Sequence, residues 1–143
     1  MKVKEVMTPN VETLQSNYTL LDASKKMRDL NVGAIPVNED GSIVGILTDR
    51  DIVVRAISEE LNPANTSVRE VMSSKVLSCS DDADIEQAAK LMEEYKVRRL
   101  LVNDRTGKVV GICSLGDLAV HAQKELSGEV IKDVSEPSTP SRS

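Results

Sequence analysis

At 143 residues, with no Phe or Trp and only two Tyr, the chain must build its core from Val, Ile, Leu, Met and Ala, so a flat ligand would meet aliphatic walls and backbone instead of aromatic platforms. A formal charge of −5 excludes a general nucleic-acid surface, DNA included, because displacing counterions needs dense positive charge. No stretch approaches the roughly 18 uninterrupted apolar residues of a membrane span, and the first residues lack the apolar run of a secretory signal; a soluble, cytoplasmic protein is expected.

In chain order, the pattern predicts a short helix over 3–7, a turn at TPN, a strand over 11–14 and a helix over 20–31. In that helix Leu20, Ala23, Met27 and Leu30 recur at helical spacing, with Thr19 as N-cap. A strand over 34–37, a turn over 39–42 and a strand over 43–47 follow, and a last helix runs from Asp49 or Arg50 to Leu61.

The order then repeats. VKEVM at Val3 returns as VREVM at Val68, 65 residues on, and GILTDRD at Gly45 returns as GICSLGD at Gly111, 66 residues on. The extra residue falls where the turn NEDGS becomes NDRTGK, the place where a structural repeat tolerates insertion. Val11 with Val76, Ala23 with Ala88, Met27 with Met92, Val32 with Val97 and Val37 with Val102 hold the copies in phase. In the second copy Asp84 and Gln87 form a capping-box signature before a helix carrying Ile85, Ala88, Leu91, Met92 and Tyr95. The expected division is a first repeat over 1–64, a second over 65–126 and a C-terminal extension over 127–143. The extension ends SEPSTPSRS, has little to bury and reads as largely disordered. Units of about 60 residues are marginal alone, so two packed together are expected.

The closing helices are apolar around a wide arc: Ile52, Val53, Val54, Ala56, Ile57 and Leu61 in one, Leu118, Ala119, Val120, Ala122 and Leu126 in the other. One reading is a thoroughly buried helix. The reading preferred is packing both on its own sheet and on a second subunit, a homodimer through 52–61 and 118–126. Cys79 and Cys113 sit in strands with apolar neighbours and read as small reduced core residues, not as a disulfide or redox switch. His121, the one histidine, falls mid-helix and reads as structural or exposed.

The element that carries chemistry is Gly, two apolar residues, Thr or Ser, two residues, Asp: Gly45, Thr48 and Asp51, then Gly111, Ser114 and Asp117. A small residue lets a ligand approach the backbone. An acid near a helix start accepts hydrogen bonds from vicinal hydroxyls, which suits a ribose, and the same helix start offers N–H groups to an anion. A single occurrence reads most simply as a helix cap; two in matching context favour a site. Arg98 and Arg99 open the middle strand of the second copy where the first has Gly33 and Ala34. Adjacent guanidinium groups there suit either solvent at a strand edge or a phosphate clamp. A paired nucleophile and base, a metal cluster and a Walker-type phosphate loop are missing from the pattern, so no enzyme is expected.

MTPNV and MSSKV, VGAIPV and VRRLLV, and GILTDRDI and GICSLGDL together resemble a tandem pair of CBS domains, a Bateman module, over about 1–123, most like the small stand-alone bacterial pairs. The resemblance implies an α/β (α+β) fold of two repeats, each a small, mainly three-stranded sheet with two helices, packed as a pseudo-two-fold module with two clefts between the repeats. It implies a non-enzymatic sensor that binds AMP, ADP or ATP, with S-adenosylmethionine, NAD or a cyclic dinucleotide as secondary candidates and no required cofactor. The ribose-binding acid corresponds to Asp51 and Asp117 and its hydroxyl partner to Thr48 and Ser114. The base-contacting segments correspond to Thr8 to Val11, Ile35 and Pro36, with Ser73 to Val76, Leu100 and Leu101 in the second copy. The phosphate-contacting positions correspond to Arg98 and Arg99, so the cleft of the copy that carries Gly33 and Ala34 is expected to bind weakly or to take an uncharged ligand. The competing reading is a dimerising adaptor with vestigial clefts, and an unknown protein partner fits either.

Overall fold

The computed structural model describes residues 1–126; the C-terminal extension over 127–143 lies outside the described residues. The chain forms two compact units. Val11–Val76 makes the first-repeat unit, while Met1–Asn10 joins the described residues from Leu77 onward in the second-repeat unit. Compactness therefore cuts the chain about ten residues later than the sequence repeat at each boundary, because the opening segment of each repeat is built into the unit of the other.

In the first-repeat unit, β2 (Leu14–Gln15) pairs parallel with β3 (Ala34–Glu39), which pairs antiparallel with β4 (Ser42–Thr48). The strand predicted over 11–14 thus begins at its last residue. Between β2 and β3, α1 (Leu20–Leu30) starts where Thr19 Oγ1 accepts the Asp22 N–H at 3.1 Å and stops at Asn31, which adopts the left-handed conformation at φ 55. Its face of Leu20, Ala23 and Met27 is buried with Leu14, Ile35, Val37 and Leu47 in an aliphatic core, whereas Leu30, expected on that face, is exposed. The turn Asp40–Gly41 holds two positive φ values, 53 and 85, the geometry of a tight hairpin.

The helix predicted to reach Leu61 is different. α2 covers only Asp49–Asp51 and continues as a π-helix over Ile52–Ile57. The wider winding shows in Ser58 N–H to Val53 O and Leu61 N–H to Ala56 O, both at 2.9 Å. It stops because Glu60 turns left-handed at φ 60 and Asn62 and Pro63 follow. Across a short link, α3 (Val68–Val71) buries Val68 and Val71 in the same core. Arg69 on α3 reaches Glu39, which also accepts the Ser16 hydroxyl at 2.8 Å, and these partners hold the Glu39 carboxyl below its usual range.

The second-repeat unit has the same plan. β5 (Ser78–Ser80) pairs parallel with β6 (Arg99–Asn103), which pairs antiparallel with β7 (Val109–Ser114). α4 (Ile85–Tyr95) begins with the predicted reciprocal cap, Asp84 N–H donating to Gln87 Oε1 at 2.9 Å, and α5 (Leu115–Leu126) follows β7. A fourth strand, β1 (Thr8–Pro9), lies antiparallel on the outer edge of β7, so that residues predicted as a turn are sheet. Ahead of it, the helix expected over 3–7 is one 3₁₀ turn, Val3–Glu5. Val3 N–H and Lys4 N–H donate to Ala83 O and Asp81 O at 2.8 and 3.1 Å, and Val3 enters the core with Ala88, Met92, Leu100, Val102, Cys113 and Leu118.

Candidate functional site

The hydroxyl and the acid of the duplicated motif form one hydrogen-bonded bracket in each unit. Thr48 N–H donates to Asp51 Oδ2 and Asp51 N–H to Thr48 Oγ1, each at 3.0 Å; Ser114 N–H donates to Asp117 Oδ2 at 2.9 Å and Asp117 N–H to Ser114 Oγ at 3.0 Å. These are reciprocal helix caps in which the acid takes the part Glu plays in a standard capping box. The capping role is therefore real, and it also fixes the carboxylate. In both units the acid caps through Oδ2, one of the two oxygens of a carboxylate that offers about four acceptor positions. Asp51 is half-buried and Asp117 buried.

The helix starts give less to an anion than the sequence suggests. At α2, Asp49 N–H donates to Gly33 O, Arg50 N–H to Asp49 Oδ1 and Asp51 N–H to Thr48 Oγ1. At α5, Leu115 N–H goes to Arg98 O and Asp117 N–H to Ser114 Oγ. The protein itself satisfies these donors. The glycines likewise admit protein and not ligand. A Cβ on Gly45 would lie 2.6 Å from Met72 Sδ and 2.7 Å from Ser73 O, and one on Gly111 would lie at the same distances from Met7 Sδ and Thr8 O.

That close approach brings the remaining candidate residues in, and it does so across the repeats. Ser73 exchanges two backbone bonds with Ile46 at 2.9 Å, so Ser73 to Val76 belongs with Thr48, Asp51, Ile35 and Pro36. Thr8 pairs with Ile112 and so lies with Ser114, Asp117, Leu100 and Leu101. Val11 and Val76 are half-buried residues at the two ends of the first-repeat unit, outside any strand. Along β3 and β6 side chains alternate. Ile35 and Leu100 turn their side chains into the core, while Pro36 and Leu101 are buried outside those core clusters, on the opposite faces of their strands.

Arg99 stands directly across from Ser114, and Arg98 O holds the first N–H of α5, so both arginines are anchored beside the second bracket. Arg98 is exposed and Arg99 half-buried. The register places Ala34 opposite Thr48 in the first-repeat unit, so the missing basic pair is a true difference at equivalent positions. Both cysteines are free thiols, and burial, with the Asp117 charge and Cys79 adding to it, pushes the Cys113 thiol up to about 12. A thiol so high is protonated at neutral pH and is no nucleophile. Among the described residues no group of three His, Cys, Asp or Glu is placed to hold a metal ion, and no helix is long and apolar enough to cross a membrane.

One residue went unnoticed in the sequence. Arg55, four positions after Asp51, donates from Nη1 to Val71 O and Met72 O, both at 3.2 Å. The only available signal was its spacing from the acid, and its target lies 16 residues further on.

Two copies of one α+β plan, each ending a strand in a hydroxyl–acid bracket, define a tandem-repeat module. A family model described as CBS domain matches residues 3–57 and again 68–123. The chain belongs to the CBS-domain family as a tandem pair. The CBS domain-containing protein YhcV of Bacillus subtilis is 40% identical over 134 residues, 93% of this chain and 94% of its own length. Among solved structures, the CBS domain protein NE2398 superposes with a TM-score of 0.76 at 32% identity, covering 86% of this chain and 98% of that one. The CBS-domain pair of protein MJ0100, in complex with 5′-methylthioadenosine and S-adenosyl-L-methionine, superposes with a TM-score of 0.76 at 25% identity, covering 87% and 98%.

Proposed function

We propose that this chain is a non-enzymatic sensor that binds adenosine-type nucleotides, AMP, ADP or ATP, at the hydroxyl–acid bracket of each unit. The observation that carries the reading is the pair of preset carboxylates at equivalent positions, Asp51 and Asp117, each suited to a ribose diol. The adenosine group shared by both ligands of the MJ0100 pair supports the same chemistry. Arg98 and Arg99 supply phosphate-binding charge beside Asp117. S-adenosylmethionine and NAD carry the same adenosine ribose and stand as secondary ligands, as does a cyclic dinucleotide, whose esterified 3′ oxygen leaves a single ribose hydroxyl for the acid. A cytoplasmic setting suits both the free thiols and the ligand class.

Calorimetric titration with AMP, ADP, ATP, S-adenosylmethionine and NAD tests the reading, and no saturable binding by any of them would refute it. Removing a charge-assisted hydrogen bond costs about 1.5–3 kcal/mol, so Arg99→Ala is expected to weaken ATP and AMP by about tenfold or more. Unphosphorylated adenosine should bind the variant and the parent alike. Equal loss for adenosine would remove Arg99 from the phosphate and assign it to the fold.

The row Val53, Val54, Ile57 and Leu61, with Val53 58% exposed, favours a homodimer through 52–61, joined by the 118–126 helix. Ligand then changes assembly or partner affinity by binding two states unequally. Val53→Asp is expected to shift the sedimenting mass from dimer to monomer, and an unchanged dimer would exclude this face. An assembly of the same mass with and without every ligand would favour the adaptor reading.

A further inference from the structure

We infer that Arg55 is a positioning residue for the ligand site of the first-repeat unit: it ties the helix that carries Asp51 to the segment that carries Ser73. The inference rests on the nucleotide-binding reading and adds the side chain that holds the two halves of that site together.

Three observations converge on Arg55. It follows Asp51 by four residues on one continuous helical run, so the guanidinium and the carboxylate move with the same backbone. Its Nη1 is shared between Val71 O and Met72 O, the carbonyls at the end of α3. Helix-terminal carbonyls lack intrahelical donors, so a guanidinium there satisfies acceptors that the four-residue α3 cannot. The next residue, Ser73, is clamped to Ile46 of β4, two residues before Thr48. Arg55 thus closes a loop of contacts that runs from Asp51 through the guanidinium to 71–72, through Ser73 to β4, and along β4 back to Thr48 and its bracket with Asp51.

The π-helical winding contributes to this reach. A π turn widens the helix and re-aims the residues that follow it, and Arg55 falls inside the Ile52–Ile57 stretch that is wound this way. The second repeat has no such stretch; α5 is a regular helix, and the residue at the position of Arg55 is His121, which reaches Glu125 Oε1 at 3.4 Å. The device belongs to one unit, so the two sites are held by different means. A ligand that contacts both Asp51 and Ser73 acts on both ends of the Arg55 bridge at once, giving the first-repeat unit a mechanical link between occupancy and the α3 segment.

The test is ligand titration of the full chain, parent against Arg55→Ala, Arg55→Lys and His121→Ala, each in an Asp117→Asn background that isolates the first-repeat site, with amide exchange of residues 71–76 read in parallel. Arg55→Ala should weaken adenosine or AMP binding by about tenfold, because a site whose two halves are no longer tied must order them on binding, and should speed exchange at 71–76. Arg55→Lys, which keeps a cationic donor, should recover part of both, and His121→Ala should change neither. Arg55→Ala with parental affinity and exchange would overturn the inference. So would loss in Arg55→Ala that appears only as a lower melting temperature, with affinity intact and no recovery by lysine. Absence of binding in the parent itself would instead overturn the nucleotide reading.

Discussion

Alanine at Gly45 or Gly111 is expected to destabilise its unit by about 1–3 kcal/mol, the cost of adding a methyl group to a packed interior. At Gly45 the new Cβ would stand 2.6 Å from Met72 Sδ and 2.7 Å from Ser73 O. A thioether at the end of a flexible side chain can swing aside. The carbonyl cannot, because Ser73 O already accepts the Ile46 N–H at 2.9 Å and is held by the chain on both sides. Gly111 presents the same pair of obstacles in Met7 and Thr8, and there the displaced backbone is β1 itself. Gly116 supplies the control, since a Cβ at that position meets only Ser114 Oγ at an ordinary 3.6 Å. Gly116→Ala should be neutral or gain about 0.4–1 kcal/mol through the unfolded chain. Urea denaturation of the three variants measures the difference. Gly45→Ala and Gly111→Ala no less stable than Gly116→Ala would show that the opening segments are not packed as described.

These glycines also mark where sequence reasoning met its limit. Their duplication was plain, and so was the phase of the helices, because Leu20, Ala23 and Met27 recur at 3.6-residue spacing and Thr19 and Asp84 are local caps. Local chemistry leaves local marks. The sequence suggests room for a ligand at these glycines, whereas that room is filled by the opening segment of the other repeat. That docking joins residues 3 and 83, or 46 and 73, through backbone hydrogen bonds that any side chain permits, so no residue type announces it. The π-helix escaped for a related reason: its apolar pattern is satisfied by an ordinary helix, and only the widened hydrogen-bond ladder distinguishes it. At the candidate site the acids and hydroxyls are legible as a motif, yet their mutual bond depends on the backbone turn that brings them together. The Ile35 and Leu100 side chains belong to the cores, because strand alternation decides facing and sequence spacing alone leaves the register open.

The bracket has two candidate duties, capping and ligand binding, and Asp117 separates them cleanly. Asparagine retains a carbonyl oxygen that accepts the Ser114 N–H, so Asp117→Asn keeps the cap and loses the charge, a stability cost of about 0.3–1 kcal/mol from the helix dipole. Alanine removes the acceptor from a buried position and strands the Ser114 N–H, which costs about 1–3 kcal/mol. For a ribose diol the order is different. Both variants lose hydrogen bonds to an ionised acceptor, worth about 1.5–3 kcal/mol each, so both should weaken nucleotide binding at the second-repeat site by about 10- to 100-fold or more. The signature of a ligand-binding acid is therefore a split: Asp117→Asn close to the parent in denaturation and close to Asp117→Ala in calorimetry. An Asp117→Asn protein that binds nucleotide as tightly as the parent would leave the acid as a cap and nothing more. Asp51→Asn asks the same question of the first-repeat site, where Arg98 and Arg99 have no counterpart. If both acids show the split, the diol is recognised in both units, and the arginine pair accounts for any preference for phosphate in one of them.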